Sequence, residues 1–195
     1  MLTKYLRVLG DDGAGKKTLI GSLTHKCGLD LPQIELLEKN GIRDFAGIVS
    51  FFKKNGMTLS FYGPSANYIV ELKEVPDVQI AFWVVDASAL DKGRASCRRL
   101  VSLLSAGELR PQEQLLILVN KMDLVDWSEQ VFAEIVRTFQ DISTIAQKIS
   151  VIPISSLHSN NILEAPEEPS WIKSISASSF EGSGLICGQT LMSQL

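Results

Sequence analysis

Apolar and polar positions alternate along the chain in a way that predicts strands and helices in turn. The runs "IAFWVV" and "LLILV" are wholly apolar, which is typical of strands buried on both faces of a parallel sheet. Several segments between such runs carry apolar residues at spacings of three and four, as amphipathic helices do. This order predicts an α/β fold with a doubly wound, mostly parallel sheet of about six strands.

One stretch of the chain predicts an antiparallel hairpin at the edge of this sheet. In "AGIVSFFKKNGMTLSFYG" two β-rich runs flank an Asn-Gly pair, and Asn-Gly in that position favours a tight hairpin turn. The next stretch, "NYIVELKEV", has helical spacing. We therefore expect the hairpin at residues 46–63 and a helix at residues 67–75.

The loop after the first predicted strand almost matches a phosphate-binding loop. The sequence "GDDGAGKKT" lies between the strand "KYLRVL" and a predicted helix. Backbone N–H groups of such a loop converge on an anion, and the dipole of the following helix favours negative charge. Lys17 departs from the pattern, because a Ser or Thr hydroxyl normally holds magnesium at that position. The candidate phosphate-binding residues are Gly10, Asp11, Asp12, Gly13, Ala14, Gly15, Lys16, Lys17 and Thr18.

Two further segments follow predicted strands and indicate a guanine base. The motif "NKMD" comes directly after an apolar strand, and "ISS" comes at the end of the last one. A carboxylate only accepts hydrogen bonds, so Asp123 suits a base edge with two adjacent donors, which guanine has and adenine lacks. Parallel strands would bring both segments and the glycine loop to one edge of the sheet. The candidate base-binding residues are Asn120, Lys121, Asp123, Ser155, Ser156 and Leu157.

These motifs together resemble a known family. The order "GDDGAGKKT", "VNKMDLVDWSEQVF", "IPISSLHSNNILEAPEEPSW" is similar to the GTP-binding domain of the translation-factor GTPase superfamily. "TLIG" and "VVDA" look most like the GTPase subunit of sulfate adenylyltransferase, whereas "HKCG" and "PISS" look equally like elongation factor 1-alpha and its surveillance relatives. The resemblance covers nearly the whole chain and stops where the family's β-barrel domains would begin. It implies a P-loop NTPase fold that binds GTP or GDP.

The residues that the family uses for hydrolysis do not carry over. The first switch of the family has the motif Gly-Ile-Thr, and in this chain "NGIRDF" places Arg43 at the position of the threonine. The second switch has the motif Asp-x-Pro-Gly-His, and "SFYGPSANY" places Ser60 at the position of the Asp and Pro64 at that of the His. An alignment of "GMTL" with Gly-Ile-Thr is rejected, since it leaves no strand before "YGP". Phosphoryl transfer depends on these groups and on the metal. Together with Lys17, the changes predict very slow or absent GTP hydrolysis, a doubtful role for Mg²⁺, and no assignable catalytic or metal-binding residue.

Length, net charge and cysteine content indicate how the chain is divided, which partners it lacks and in which compartment it is found. The chain has 195 residues, and we expect a GTP-binding domain over residues 1–173 and a Ser/Gly-rich tail over residues 174–195 that could end in a helix. A net charge of −3 argues against direct binding to nucleic acid or to an anionic membrane. Three widely separated cysteines, with no signal-peptide pattern at the start, favour a reducing compartment and a cytoplasmic location.

Three functions remain open at this stage. The first is a guanine-nucleotide-binding module with lost or impaired hydrolysis, which regulates or contacts a protein partner. The second is an active GTPase that serves either sulfate activation or translation and ribosome surveillance, with a sulfate-activation subunit or a ribosome-associated factor as partner. The third is a scaffold that binds no nucleotide. The base motif argues against the third function, and the altered switches argue against the second.

Overall fold

A computed structural model describes residues 2–146, 148–174, 185–187 and 190–195. Within this part of the chain the strands are β1 (Leu2–Gly10), β2 (Ser60–Tyr62), β3 (Ala66–Val70), β4 (Asp77–Asp86), β5 (Arg110–Asn120), β6 (Ile149–Pro153) and β7 (Leu185–Cys187). They form one sheet in the order β2-β3-β1-β4-β5-β6-β7, in which only β2 and β3 are antiparallel. The predicted α/β fold with a mostly parallel sheet and one antiparallel pair is confirmed, with seven strands in place of about six.

Helices pack on both faces of the sheet. They are α1 (Lys16–Cys27), α2 (Leu31–Lys39), α3 (Phe45–Lys54), α4 (Gly93–Ser105), α5 (Glu129–Phe139) and α6 (Trp171–Ser174). Successive residues of β4 point to opposite faces, so that Phe82 joins an apolar cluster with α1 and α3, whereas Trp83 joins a second cluster with α4 and α5. Both side chains are fully buried. The sheet therefore separates two cores, as expected of a doubly wound fold.

The parallel register brings the carboxyl ends of four strands to one edge of the sheet. Gly10, the last residue of β1, pairs with Val84 near the end of β4. Asp86 ends β4 beside Asn120, which ends β5, and β6 ends beside β5 at Pro153. The loops that follow these strands therefore start close together, and this edge is where α/β sheets bind ligands.

The predicted hairpin over residues 46–63 is wrong, because most of its first half is the helix α3. Asp44 caps the start of the helix by accepting a hydrogen bond from the backbone N–H three residues on. Ile48 and Phe52, one turn apart, are both buried against the core, so the apolar residues follow helical rather than strand spacing. The Asn-Gly pair ends the helix instead of turning a hairpin, with Gly56 at a φ of 63°.

The predicted helix over residues 67–75 is also wrong, because its first residues belong to the strand β3. Tyr68 and Val70 are buried while the residues beside them are only half-buried, which is the period of two that a strand requires. The antiparallel hairpin is formed by β2 and β3, with Ser60 opposite Ile69. An edge hairpin is thus present, but it lies later in the chain than predicted.

The last described residues return to the sheet. β7 pairs in parallel with β6, and Leu191 and Met192 are buried against the core that contains α1. Met192–Gln194 forms a short 3₁₀ turn. Residues 175–184 and 188–189, which make up most of the Ser/Gly-rich stretch, lie outside the described residues. Among the helices described, none has the length and apolarity needed to cross a membrane.

Candidate functional site

The loop between β1 and α1 depends on glycine at two positions. Gly10 has a φ of 134° and Gly15 a φ of 94°, both in the left-handed region that other residues rarely adopt. A Cβ on Gly10 would collide with the backbone of Val84 in the neighbouring strand, and a Cβ on Gly15 would collide with the side-chain amide of Asn120. The loop is therefore held tightly against the ends of β4 and β5.

Lys16 folds back over this loop. Its ammonium group donates hydrogen bonds to the carbonyl oxygens of Gly10, at 2.8 Å, and Asp11, at 2.6 Å, and lies 3.9 Å from the carboxylate of Asp12. Burial lowers the pKa of Lys16, although the Asp12 charge opposes this shift. The ammonium group therefore sits at the centre of the loop, where the lysine of a phosphate-binding loop meets its phosphates.

The neighbouring residues of the loop differ in their exposure. Lys17, on the first turn of α1, is exposed to solvent, as are Asp12 and Gly13. Thr18 is half-buried, and Ala14 is fully buried. The structure thus gives Lys17 and Lys16 different surroundings, one in solvent and one inside the loop.

Asn120 links three of the sequence-predicted segments. Its Nδ2 donates to the carbonyl oxygen of Ala14 at 2.7 Å, and its Oδ1 accepts from the backbone N–H of Ser156 at 2.9 Å. The residue is 2% exposed, and both hydrogen bonds are made to backbone groups. The amide therefore fixes the distance between the glycine loop and the loop that follows β6.

Lys121 and Asp86 form an ion pair between the ends of neighbouring strands. Lys121 has a left-handed backbone with a φ of 64°, and its ammonium group lies 2.6 Å from the Asp86 carboxylate. Burial acts to raise the pKa of Asp86, but hydrogen bonds from Lys121 and Ser88 outweigh it and hold the pKa below its ordinary value. The ion pair therefore holds the aliphatic part of the Lys121 side chain in place at the end of β5.

The predicted base-binding carboxylate lies on the same edge. Asp123 is half-buried, and its carboxylate is 3.8 Å from Nε2 of His158. Ser155 and Ser156 are buried, whereas Leu157 is 64% exposed. The hydroxyl of Ser156 is buried and has no hydrogen-bond partner, which is unusual for a buried polar group and leaves it able to bind a ligand.

The chain is similar to several known proteins. The model of the ADP-ribosylation factor family matches residues 73–173, just over half of the chain. Elongation factor 1-alpha of Serendipita indica is 25% identical over 95% of this chain and 47% of its own length, and that of Saccharomyces cerevisiae has the same identity and coverage. The chain belongs to the ADP-ribosylation factor family, and over nearly its whole length it is similar to elongation factor 1-alpha. It spans about half the length of these elongation factors.

Solved structures confirm the fold of this G domain. The S. cerevisiae Ski7 GTPase-like domain, solved with bound GTP, superposes with a TM-score of 0.62 at 18% identity, over 87% of this chain and 47% of the other. Sup35 complexed with GDP gives a TM-score of 0.57 at 18% identity, over 85% of this chain and 40% of the other. The predicted P-loop fold therefore has direct structural counterparts.

The segment that follows β3, beside β1, does not match the second-switch motif of the family. β3 pairs with β1 only as far as Val70 and Leu6, four residues before β1 reaches the loop at Gly10. Residues 71–76 then lead directly into β4 without a helix. The placement of the second switch at Ser60 is wrong, because Ser60 begins the antiparallel edge strand, and a strand does follow "GMTL". The position that follows the strand beside β1 is Glu71.

One residue at the loop was not singled out from the sequence. In the sequence, Arg99 forms a basic helix face with Arg94 and Arg98, for which a solvated surface is the usual explanation. Its guanidinium nevertheless lies 3.2 Å from the carboxylate of Asp11 in the glycine loop. No local pattern predicts this contact, because 88 residues separate the two side chains in the sequence.

Proposed function

We propose that the chain is a guanine-nucleotide-binding domain with impaired or absent GTP hydrolysis, and that it acts as a regulatory or interaction module. The observation that carries this proposal is the pair of hydrogen bonds of Asn120, which donates to the carbonyl oxygen of Ala14 in the glycine loop and accepts from the backbone N–H of Ser156. They hold the phosphate-binding and base-binding segments together. A preformed site of this kind lowers the ordering cost of binding.

The base side of the site fits guanine. The Asp123 carboxylate can accept from two adjacent donors, and its present neighbour His158 is loosely placed at 3.8 Å, so a base edge can displace it. The unpartnered Ser156 hydroxyl supplies one more polar group for the base or its exocyclic oxygen. The GDP and GTP complexes of the structural relatives support the same assignment.

The side chains at the loop do not fit a magnesium site of the family type. The position that normally supplies the metal-binding hydroxyl is the ammonium group of Lys17, which cannot be a ligand. A second cation, Arg99, lies against the loop at Asp11. Within the described residues, no group of three or more His, Cys, Asp or Glu side chains could hold a metal ion instead. We therefore assign no step to a metal.

The same side of the site lacks the groups that would position an attacking water. The family motif Asp-x-Pro-Gly-His has no counterpart in residues 71–76, which read "ELKEVP". No helix follows them before β4 either. Without a metal ligand or a water-positioning group, binding energy cannot be directed to the transition state for hydrolysis.

The partner of such a module is a protein of the pathway that the relatives serve. The chain is similar to elongation factor 1-alpha over nearly its whole length, which favours a ribosome-associated factor over a sulfate-activation subunit. A location in the cytoplasm fits either pathway. We propose no direct contact with nucleic acid or membrane, because the net charge is −3.

Calorimetric titration tests the proposal. GTP, GDP and ATP are each titrated with magnesium and with a chelator, and phosphate release is followed in parallel with Lys16→Ala as control. We expect GTP and GDP to bind in both conditions, ATP to bind about 100-fold more weakly, and phosphate release to stay at background. ATP binding as tightly as GTP contradicts guanine recognition. Magnesium-dependent phosphate release that Lys16→Ala abolishes supports the active GTPase instead, and no binding at all supports the scaffold.

A further inference from the structure

A cation from outside the glycine loop reaches the candidate phosphate site. Arg99, on α4, donates from Nη1 to the carboxylate of Asp11 at 3.2 Å, and its Nη2 lies 3.5 Å from the carbonyl oxygen of Gly10. Both of these groups belong to the glycine loop. The guanidinium therefore lies against the loop from the face of the sheet that α4 covers.

Packing against a buried ring holds this guanidinium in place. Its central carbon lies 5.6 Å from the ring centroid of Trp83, within the range of a cation–π interaction. Trp83 is fully buried in β4, and its ring nitrogen donates to the hydroxyl of Ser96 at 3.0 Å. Ser96 and Arg99 lie one turn apart on α4, so the same helix orients the ring and the cation. These contacts position Arg99, although its side chain is 57% exposed and open to an incoming ligand.

Arg99 and Lys16 converge on one oxygen atom. Lys16 donates to the carbonyl oxygen of Gly10 at 2.8 Å, and Nη2 of Arg99 lies 3.5 Å from the same atom. Two cations that approach one neutral carbonyl repel each other, and an anion between them would relieve that repulsion. The Arg99 charge adds to burial in lowering the pKa of Lys16. The arrangement therefore favours a bound anion at this point.

A cavity of about 250 Å³ opens beside the two cations. It follows the edge of β1 from Arg7 to Gly10, which β3 leaves uncovered because it stops beside Leu6. The volume is several times the roughly 30 Å³ that one water molecule occupies in the liquid, so a phosphoryl group has room to enter. The charged residues that line it are Arg7, Lys16, Glu71, Lys73, Glu74 and Arg99.

We propose that Arg99 binds the terminal phosphate of a nucleoside triphosphate. This inference rests on the proposed function, since it requires a guanine nucleotide in the site. The lysine of a phosphate-binding loop contacts the β- and γ-phosphates, so a group between Lys16 and Arg99 is the terminal one. A guanidinium binds phosphate oxygens in pairs, and Asp11 holds it in position until the nucleotide arrives.

The test compares a diphosphate with a triphosphate in the absence of metal. GDP and the non-hydrolysable analogue GMPPNP are titrated in chelator into the wild type, Arg99→Gln and Arg99→Lys, with Arg98→Gln on the exposed side of α4 as the matched control. We expect Arg99→Gln to lower the affinity for GMPPNP about tenfold but that for GDP only about twofold, because the lost hydrogen bonds are charge-assisted and made to the third phosphate. The affinity of Arg99→Lys for GMPPNP should lie between those of the wild type and Arg99→Gln, and Arg98→Gln should bind both nucleotides as the wild type does.

The outcomes separate this inference from the proposed function. Equal losses for both nucleotides in Arg99→Gln, or no loss for either, would overturn the inference and leave Arg99 as a brace between α4 and the loop. A wild-type protein that binds neither nucleotide would overturn the proposed function and the inference with it. If Arg99→Gln fails to fold, the ratio of GMPPNP to GDP affinity in Arg99→Lys, which keeps the charge but not the planar group, decides the question.

Discussion

The two halves of the candidate site differ in how closely they keep the arrangement that their family requires. On the base side, Asn120 joins two loops by hydrogen bonds to backbone groups, and the ammonium group of Lys121 lies 2.6 Å from the carboxylate of Asp86. On the phosphate side, Lys17 faces solvent and no helix follows the strand beside β1. Recognition of a ligand and chemistry on it thus rest on separate sets of residues, so one set can persist where the other has changed. The following experiments test this division.

The largest effect is expected at the base side, from Asp123→Asn. An amide in place of the carboxylate puts a donor against the 2-amino group of guanine but matches the 2-carbonyl of xanthine. We expect GDP affinity to fall about 100- to 1,000-fold, as with other sites that leave a buried polar group unpaired. XDP should bind the variant better than GDP does. Calorimetry with both nucleotides measures this, and Asp126→Asn, an exposed change in the same loop, is the control. Equal losses for GDP and XDP would contradict base recognition by Asp123.

A smaller effect is expected on folding, from Asp86→Asn. The folded-state pKa of Asp86 is lowered, so its stabilising contribution is complete above the ordinary carboxyl pKa and is lost as pH falls through the lower folded value. At neutral pH the variant should be about 1.5–3 kcal/mol less stable, the usual range for a hydrogen bond to a charged group. Urea unfolding at several pH values measures this.

The pH dependence provides the check on this prediction. Below about pH 4 the wild type should lose stability more steeply than Asp86→Asn, because only the wild type has this carboxylate to protonate. Asp91→Asn, an exposed change in the next turn of the chain, should follow the wild type. Identical pH profiles for the wild type and Asp86→Asn would show that the Lys121 pair adds nothing to stability.

The phosphate side should respond to magnesium only weakly. We expect GDP affinity to change less than about threefold between magnesium and chelator, since like charges near the loop repel a divalent ion. Lys17→Ser should restore part of the magnesium dependence. If the Lys17 ammonium also contacts the phosphates, this variant should bind metal-free GDP up to about tenfold more weakly, as expected for a lost charged contact. Wild-type binding that collapses in chelator would contradict the prediction.

The smallest effect is expected from exchanging GTP for GDP. The second-switch motif of the family has no counterpart in residues 71–76, so both nucleotides should leave the domain in nearly the same conformation. Hydrogen exchange over residues 40–74 measures this, with rates that should agree within about a factor of two. Clear protection by GTP alone would mean that this region switches after all.

The parts of the fold that could be predicted from the sequence are those fixed by local pattern. Buried strands, the glycine loop and the helix opened by Ser128 follow from runs and caps that no other structure satisfies as well. The hairpin prediction failed because Asn55 and Gly56 serve a helix end as readily as a turn, and only the burial of Phe52 decides between them. At the site, the motifs indicate candidate residues that stay predictions, whereas the contact of Arg99 with the loop could not be predicted, because it depends on the packing of α4.

The short connection after β3 has a consequence for timing. In a GTPase that switches, the hydrolysis rate sets how long a partner stays bound, so the nucleotide acts as a clock. Residues 71–76 form a connection too short for a crossover helix, which needs about ten or more residues. If the chain does not switch, as proposed, no element there would release a partner on hydrolysis, and the lifetime of a complex on this face would be set by its own dissociation rate. Occupancy would then follow the concentrations of the two proteins in the cell.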